Sequence, residues 1–382
     1  MNRLKFNILL RTGNCVQRWS STSSQPNTGI LMLNMGGPKT LDHVPDYLHR
    51  IMTDTDMIQL PYQSKLGPWI ASRRTKEVQQ KYKEIGGGSP ILKWTNLQGE
   101  LLCKKLDSIS PETAPHKHYV AFRYVNPLTK EAMDEIAIDQ PKRVVIFSQY
   151  PQYSCATSGS SFNEIYKFDK QYGLPNDITW SVIDRWSTHP LLIKTIAQRI
   201  RDELKHFHEE TRDKVMIVFS AHSLPLKAVN RGDSYPSEIG ATVHLVMQEL
   251  QNCNPFTLVW QSKVGPLPWL EPYTDEALKG YVKQGRKQFI LVPVAFVNEH
   301  IETLHELDIE YCHDLARKIG VESIRRAAAP NDHPIFIDAL ADIVHKHLQK
   351  SRRIEPKFLT LCAHCTNPKC KESKKFYERL CQ

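Results

Sequence analysis

The chain has 382 residues and 44.0 kDa, a length that predicts two domains of ~100–200 residues or one large one. Hydrophobic residues make up 41% and charged residues 24%, which excludes disorder over most of the chain and excludes a collagen-like or coiled-coil composition. The net charge is +9, from 50 Lys and Arg against 41 Asp and Glu, and it is uneven along the chain. No acidic residue precedes Asp42, and the first 28 residues carry Arg3, Lys5, Arg11 and Arg18 followed by the hydroxyl-rich run 20–24. Basic, serine-rich and acid-free is the composition of a mitochondrial transit peptide, so residues 1–28 are read as one rather than as a plain basic tail. The remaining charge of +5 is mild, and no patch interleaves aromatic with basic residues, so nucleic acid is not an expected partner. The longest apolar run, 289–297, has nine residues and contains Pro293, well short of the ~18 a membrane-spanning helix needs. Nine cysteines are too few for a disulfide scaffold, and their odd number argues against full pairing.

In chain order, short β-rich runs occur at 29–34, 118–124, 143–149, 178–184, 214–221, 256–262 and 288–296. Most are continuously apolar rather than alternating, as expected for strands buried on both faces. Helical patterns lie between them, among them 95–106, 190–207, 237–251 and 334–348. Alternating β and α at this spacing predicts an α/β protein with parallel sheets, one sheet per lobe. The lobes are expected to span 29–186 and 187–350, meeting at the loop Arg185-Trp-Ser-Thr-His-Pro190. The last long helix is expected to cross back to the first lobe. A polar, basic extension follows at 351–382. No internal sequence repeat is evident.

Ligands of open α/β sheets bind beyond the carboxyl ends of the strands. Three segments follow strands closely: Asn34-Met-Gly-Gly-Pro38, Ser220-Ala-His-Ser-Leu-Pro225 and Asn298-Glu-His-Ile-Glu302. The second holds His222; a lone buried histidine is usually a satisfied core group, and its strand-end position raises the case for catalysis only modestly. The third continues as a helix on which Glu302, Glu306 and Glu310 recur every four residues and therefore share one side. Like charges at that spacing repel. No Lys or Arg interrupts 298–315, so the row reads as an unneutralised carboxylate track, opened by Glu299 and His300, that can hold a cation briefly or carry protons.

Cys362, Cys365 and Cys370 form the sharpest local pattern. Thiolates so spaced bind zinc or an iron–sulfur cluster, and the fourth ligand is open between Cys381, His364 and a distant cysteine such as Cys155. Ile85-Gly-Gly-Gly-Ser-Pro90 lacks the Gly-Lys-Ser/Thr ending of a phosphate loop. Residues 57–74 are an apolar stretch ending in Arg73 and Arg74, which reads either as core or as a lip that touches lipid and meets anionic groups.

Together these segments resemble the ferrochelatases, in particular the animal mitochondrial form, over about residues 29 to 375. The resemblance is carried by Leu33-Asn-Met-Gly-Gly-Pro38, Ile85-Gly-Gly-Gly-Ser-Pro90, Phe122-Arg-Tyr-Val125, Gln149-Tyr-Pro-Gln-Tyr-Ser154, Phe219-Ser-Ala-His-Ser-Leu-Pro225, Val259-Trp-Gln-Ser-Lys-Val-Gly265 and His300-Ile-Glu-Thr-Leu304. It implies two Rossmann-like lobes with protoporphyrin IX in the cleft between them and ferrous iron as the second substrate. It implies that His222 faces the pyrrole nitrogens with Glu302 beside it, and that Glu306, Glu310 and His300 continue a proton or metal path on a π-type helix. Met35, Arg123 and Tyr124 would line the opposite side of the macrocycle. Arg73, Arg74 and Ser89 would meet the propionates, and Tyr82, Trp186 and Phe296 would complete the porphyrin walls. The same resemblance implies a 2Fe-2S cluster on Cys155, Cys362, Cys365 and Cys370, a homodimer, and peripheral contact with the matrix side of the mitochondrial inner membrane. Two positions depart from the family pattern: Glu299 stands where aspartate is usual, and Asn126 where animal members carry histidine.

Overall fold

The computed structural model describes residues 25–382 apart from Gln59, so residues 1–24 of the expected transit segment lie outside the described part. Eight strands form two four-stranded sheets, and every pairing is parallel. The first sheet contains β1 (Thr28–Asn34), β2 (His116–Phe122), β3 (Arg143–Ser148) and β4 (Thr179–Ile183) in the order β2-β1-β3-β4. The second contains β5 (Met216–His222), β6 (Phe256–Gln261), β7 (Gln288–Pro293) and β8 (Ser323–Arg326) in the order β6-β5-β7-β8. The two halves thus share one topology although their sequences show no repeat.

Connecting helices are α1 (Val44–Thr53), α2 (Gln63–Glu84), α3 (Ile91–Ile109), α4 (Thr129–Asp139), α5 (Ser160–Tyr172) and α6 (Pro190–Leu204) up to the second sheet. Beyond it come α7 (Leu226–Asn230), α8 (Tyr235–Glu249), α9 (Thr274–Lys283), a π-helix (Glu302–Leu315), α10 (Ala316–Ile319), α11 (Pro334–Leu348), α12 (Pro356–Leu359) and α13 (Pro368–Leu380). Several of these start on proline, which has no N–H to leave unpaired in a first turn and whose fixed φ suits the helix.

Strand periodicity explains how the layers join. Side chains alternate across a strand, so Ile30 and Met32 of β1 enter one core while Leu31 and Leu33 enter another. In β5, Ile217, Phe219 and Ala221 join the same core as Ile30 and Met32, and Met216 and Val218 face away. That shared core also takes Leu192, Ile196 and Ile200 of α6, Val243 and Val246 of α8, and Phe336, Leu340 and Val344 of α11. A layer of helices is therefore buried between the sheets, and each fully buried Leu, Ile or Phe in it stabilises the pairing by about 1.5–3 kcal/mol. Helix α11 packs against both α6 and α3, returning the chain to the first half. The C-terminal extension lies on the outer face of the first sheet, where Phe358 and Tyr377 pack edge-to-face on Phe162.

Strand β8 is absent from the sequence expectation. It is four half-buried residues, Ser-Ile-Arg-Arg, with no apolar run to betray it. Its pairing to β7 is reinforced by ion pairs of Arg325 with Glu203 (2.5 Å) and Arg326 with Asp308 (2.6 Å).

His347, on the last turn of α11, is 7% exposed, and its Nε2 has no hydrogen-bond partner. Burial, helped by Lys350, lowers its pKa from 6.5 to about 4. Between those values the unfolded chain takes up a proton that the native chain refuses, so stability is lost as pH falls through this window. The loss should approach about 3 kcal/mol near the bottom of the window. Urea unfolding of His347→Leu at pH 7 and at pH 4.5 should show that part of the acid sensitivity removed.

Candidate active site

The strand order in each half reverses between its two central strands, and such switch points open a crevice at the carboxyl ends. Met35 follows β1, Tyr150 follows β3, His222 ends β5, and His300 and Glu302 follow β7. The candidate residues therefore leave the four strands flanking the two switch points.

On the first side, Asn34 accepts from the Gly36 N–H (3.3 Å) and the Tyr150 hydroxyl (3.0 Å). The Met35 N–H in turn donates to the Tyr150 oxygen (3.0 Å). The turn requires glycine at 36: φ is +78°, and a Cβ there would lie 2.5 Å from Val125. Ser89 is drawn in beside this loop by its N–H bond to the Pro38 carbonyl (2.7 Å).

On the second side, His222 Nδ1 lies 2.5 Å from the Ser223 carbonyl. A carbonyl only accepts, so Nδ1 carries a proton, and in the neutral ring the lone pair is on Nε2. The Tyr235 hydroxyl fixes the His222 backbone (3.1 Å), and the Trp269 ring lies 6.2 Å from the imidazole. His300 has the opposite tautomer, because Nδ1 accepts from the Glu302 N–H (3.2 Å). Phe296 meets its ring edge-on at 4.5 Å. Burial lowers the His300 pKa against the pull of Glu302 and Glu299, which favours the neutral ring.

Glu302 sits where the two halves meet. Its Oε2 is buried without a partner. Burial raises the phenols of Tyr47, Tyr82, Tyr150 and Tyr235, and the Glu302 charge adds to the rise in all four. They come from α1, α2, the loop after β3 and α8, so elements of both halves surround one carboxylate with neutral hydroxyls. Glu306, one step along the π-helix, is raised by burial and by Glu302. It accepts from the Ser262 N–H (2.8 Å), Gln261 (3.1 Å) and Tyr311 (2.9 Å), as well as the Ser262 hydroxyl.

The carboxylate track is not unneutralised, as the sequence window predicts. Its cations come from other elements: Lys81 of α2 pairs with Glu310 (2.8 Å), and Arg326 of β8 pairs with Glu299 (2.8 Å) and Asp308. The Arg326 charge outweighs burial and holds Glu299 below its usual range. Glu299 thus pins the loop rather than facing the crevice, and it also accepts from the Ala329 N–H (2.9 Å).

Other expected porphyrin residues divide. Tyr82 is buried and hydrogen-bonded to Tyr47 near Glu302, and Arg74 lies on the same helix, α2. Arg73 stacks on exposed Trp69 (5.1 Å) near the start of α2. Arg123 and Tyr124 are engaged elsewhere: both hold Asp54 (2.6 and 2.7 Å), and Arg123 also pairs with Glu164 (3.0 Å). Trp186 is placed in the core, stacked on Phe147, with its indole N–H donating to the Ser148 carbonyl (2.9 Å).

Two features escape sequence reading. Beneath the crevice a buried amide chain joins the halves: Asn34 to Gln149 (3.3 Å), Gln149 to Gln98 (3.1 Å), then Gln98 to Asn298 and to the Asn331 carbonyl (2.9 Å). A loop at 263–270 exposes Val264 and Leu267 and hydrogen-bonds to the segment after His222. Its run Pro266-Leu-Pro-Trp-Leu270 was the available signal.

The cysteines lie apart from this crevice. Cys155, at the turn after β3, brings its Sγ to 3.7 Å from Cys362 Sγ, and Cys365 and Cys370 line the same pocket. The Cys155 thiol holds Cys362 down at about 7, whereas burial and Cys365 push Cys370 up to about 11. His364 is exposed, and Cys381 is buried in the aromatic core, so neither joins them. Among the described residues no three His, Cys, Asp or Glu side chains converge as donors to one ion.

A profile of the ferrochelatase family matches residues 27–348. The mitochondrial ferrochelatase of Drosophila melanogaster is 71% identical over 360 residues, covering 94% of each chain. That of Homo sapiens is 55% identical over 353 residues, covering 92% of this chain and 84% of its own. This chain belongs to the ferrochelatase family. It is a porphyrin metal chelatase, a lyase that inserts ferrous iron into protoporphyrin in heme synthesis. Among solved structures, SirB from Bacillus subtilis with Fe3+ aligns at a TM-score of 0.49 and 10% identity, over 85% of this chain and 97% of that one. The family assignment rests on the sequence matches.

Replacing Gln98 by Leu should strand buried amides in both halves, at about 1–3 kcal/mol for each group left unpaired. A lowered denaturant midpoint together with reduced kcat/KM is the expected outcome.

Proposed function

We propose that the chain acts on protoporphyrin IX held in the crevice between the two sheets, with His222 as the base. One observation carries the assignment of roles: the Nδ1–H bond to Ser223 leaves the His222 Nε2 lone pair available, in a setting where the partnerless Glu302 carboxylate is the nearby charge sink. A flat free-base porphyrin hides its nitrogen lone pairs in the ring plane, and its two N–H protons block the metal. Apolar and aromatic walls, Phe296 and Met35 among them, buckle the ring using binding energy from its periphery. His222 Nε2 then takes a pyrrole proton, and Glu302 stabilises the imidazolium or passes the proton to Glu306 and Glu310. Loss of both protons balances the charge of the incoming ferrous iron. Iron must be released into the ring, so the weak oxygen and imidazole donors of the π-helix row suit its delivery better than a thiolate cage does.

The four cysteines suit a 2Fe-2S cluster. An Sγ–Sγ separation of 3.7 Å is the edge of a tetrahedron with metal–sulfur bonds of ~2.3 Å. Their arrangement as two pairs, Cys155 with Cys362 and Cys365 with Cys370, fits two bridged irons better than one zinc. When bound, the cluster would tie the extension to the first half and take no part in the chelation.

Exposed Tyr62 and Trp69 beside Arg73, with Leu267 and Val264 on the loop near His222, support an apolar rim that rests on the mitochondrial inner membrane from the matrix side. No described helix is long and apolar enough to cross a membrane. The relatives' mitochondrial names and the basic leader support that compartment, and a homodimer is the proposed assembly.

His222→Ala should lower kcat for iron insertion by about 10²–10⁴-fold while metal-free porphyrin still binds. Anaerobic loss of porphyrin fluorescence measures the first and a fluorescence titration the second; near wild-type turnover would remove His222 from the base role. Cys365→Ser should bleach the visible absorption of the purified protein, and an unchanged spectrum would reject the cluster.

A further inference from the structure

We propose that Arg326 of β8 is a positioning residue for chelation: one guanidinium holds Glu299 and Asp308 together and so sets the winding at which the π-helix presents Glu302 to His222. The inference deepens the reading of His222 and Glu302 given above and rests on it. Arg326 pairs with Leu291 of β7 in the sheet, and its side chain is 11% exposed. Side chains alternate along a strand, so Arg325 turns to one face, toward Glu203 of α6. Arg326 shares the other face with Ile324, which packs in one apolar cluster with Leu307 of the π-helix. The Arg326 Nε and one Nη form a fork on the two Asp308 oxygens (2.6 and 2.8 Å). The other Nη donates to Glu299 (2.8 Å) and to the Ala327 carbonyl (3.3 Å), so every arm of the guanidinium is used. The chain beyond β8 continues this cradle. The Ala329 N–H donates to the same Glu299 oxygen (2.9 Å), the Asn331 side chain accepts from the Glu299 N–H (3.0 Å), and the Asn331 N–H donates to the Val297 carbonyl (2.9 Å).

His300 and Glu302 lie between the two anchors, Glu299 at the entry to the helix and Asp308 within it. A π-helix turns less per residue than an α-helix, because its hydrogen bonds close a wider ring. The angle between Glu302 and Asp308 about the helix axis therefore differs between the two windings, and a guanidinium fixed on a strand and joined to both Glu299 and Asp308 fits one of them. Glu302 has no such anchor of its own: its Oε2 is buried without a partner, so its neighbours in the chain set its place. Leu307, fully buried, and His305, paired with Glu84 of α2 (2.7 Å), keep the helix attached when Arg326 is replaced. What the replacement frees is the joint between the entry at Glu299 and the body at Asp308. Glu299, 7% exposed, would then take a proton or move toward water, since a buried carboxylate without its cation is costly. His300 is its chain neighbour and moves with it. The loss falls on the proton-transfer geometry rather than on binding of the ring, whose opposite wall comes from the first half.

The test uses the full-length protein as purified, with Arg326→Met, Arg326→Lys and Asp308→Asn made alone and each combined with His222→Ala. Anaerobic loss of porphyrin fluorescence gives kcat, and a fluorescence titration gives Kd for metal-free protoporphyrin. Arg326→Met should lower kcat by roughly 10²-fold, the loss that a misplacement of about 1 Å brings, with Kd within about twofold of wild type. Arg326→Lys keeps the charge without the fork and should recover only part of that kcat. Asp308→Asn, which keeps one acceptor for the fork, should lower kcat by less than Arg326→Met. In the His222→Ala background each change should cost less than about threefold, because Arg326 acts through a pair that is already broken. Where Arg326→Met does not fold, Arg326→Lys and Asp308→Asn carry the same comparison. Near wild-type kcat in the Arg326 variants, a Kd that loosens in step with kcat, or losses that multiply in full with His222→Ala would overturn the positioning role. Near wild-type turnover of His222→Ala alone would instead overturn the base reading beneath it, which separates the two failures.

Discussion

The candidate crevice depends on keeping two sheets in fixed register across a gap, and the buried amide chain Asn34–Gln149–Gln98–Asn298 is the interaction that does this beside the candidate residues. Helix packing between the sheets is stronger in total but tolerant of small slides. Hydrogen bonds among buried amides are short-ranged and directional, and a displaced partner leaves an unpaired group in a low-dielectric layer. One end of the chain sets the turn bearing Met35; the other sets the start of the segment bearing His300 and Glu302. Both walls of the crevice are thereby referred to one set of side chains. That precision matters for a reaction whose catalytic group must reach atoms at the centre of a rigid ring.

The parallel sheets and the strand-end placement of the candidate residues were legible in the sequence, because both are set by local patterns. His222 could be singled out from the strand before it and the proline turn after it, and the strand pattern predicted parallel sheets without any pairing information. What failed to show was every feature made by distant residues. The row 298–315 contains no cation, yet Lys81 and Arg326 reach it from α2 and β8, elements that a linear window cannot place beside it. Trp186 ends a strand-like run much as a site residue would, but its indole finds a carbonyl in the neighbouring β3 and it becomes core. Gln98 sits inside an ordinary amphipathic helix, where one polar residue on the buried face carries no special signal. The cysteine spacing grouped Cys362, Cys365 and Cys370 but could not place a fourth thiol; the fold brings Cys155 to 3.7 Å from Cys362 and buries Cys381 in the aromatic packing of α13.

The charge layout also explains why a π-helix serves at this place. Long π-helices are rare because their wider ring packs the backbone less well, and they occur where function holds them. Here the helix is held from outside by ion pairs at Asp308 and Glu310 and by Ser262 and Gln261 at Glu306, so its side chains rather than its backbone fix it. Among the acidic residues within that helix, Glu302 alone keeps a buried oxygen without a partner. The graded sequence from a free carboxylate to a hydrogen-bonded one to an ion-paired one runs from the crevice outward. Protons leaving the ring would meet successively better-satisfied acceptors, while a cation moving inward would meet successively less neutralised ones.

The C-terminal extension gains a physical purpose from the same reasoning. Its aromatic residues already bury Phe358 and Tyr377 against α5, so the segment does not need metal in order to adhere to the first half. What those contacts do not reach is the loop 361–367, which is half-buried or exposed along its length and is tied to the second half by the His364 N–H on the Arg231 carbonyl (3.1 Å). A cluster bound by the four cysteines would join that loop to the turn bearing Cys155 and to the first turn of α13, which bears Cys370. The energy of metal binding would therefore order the one stretch of the extension that its aromatic packing does not reach, which is where a metal adds most to a segment already attached.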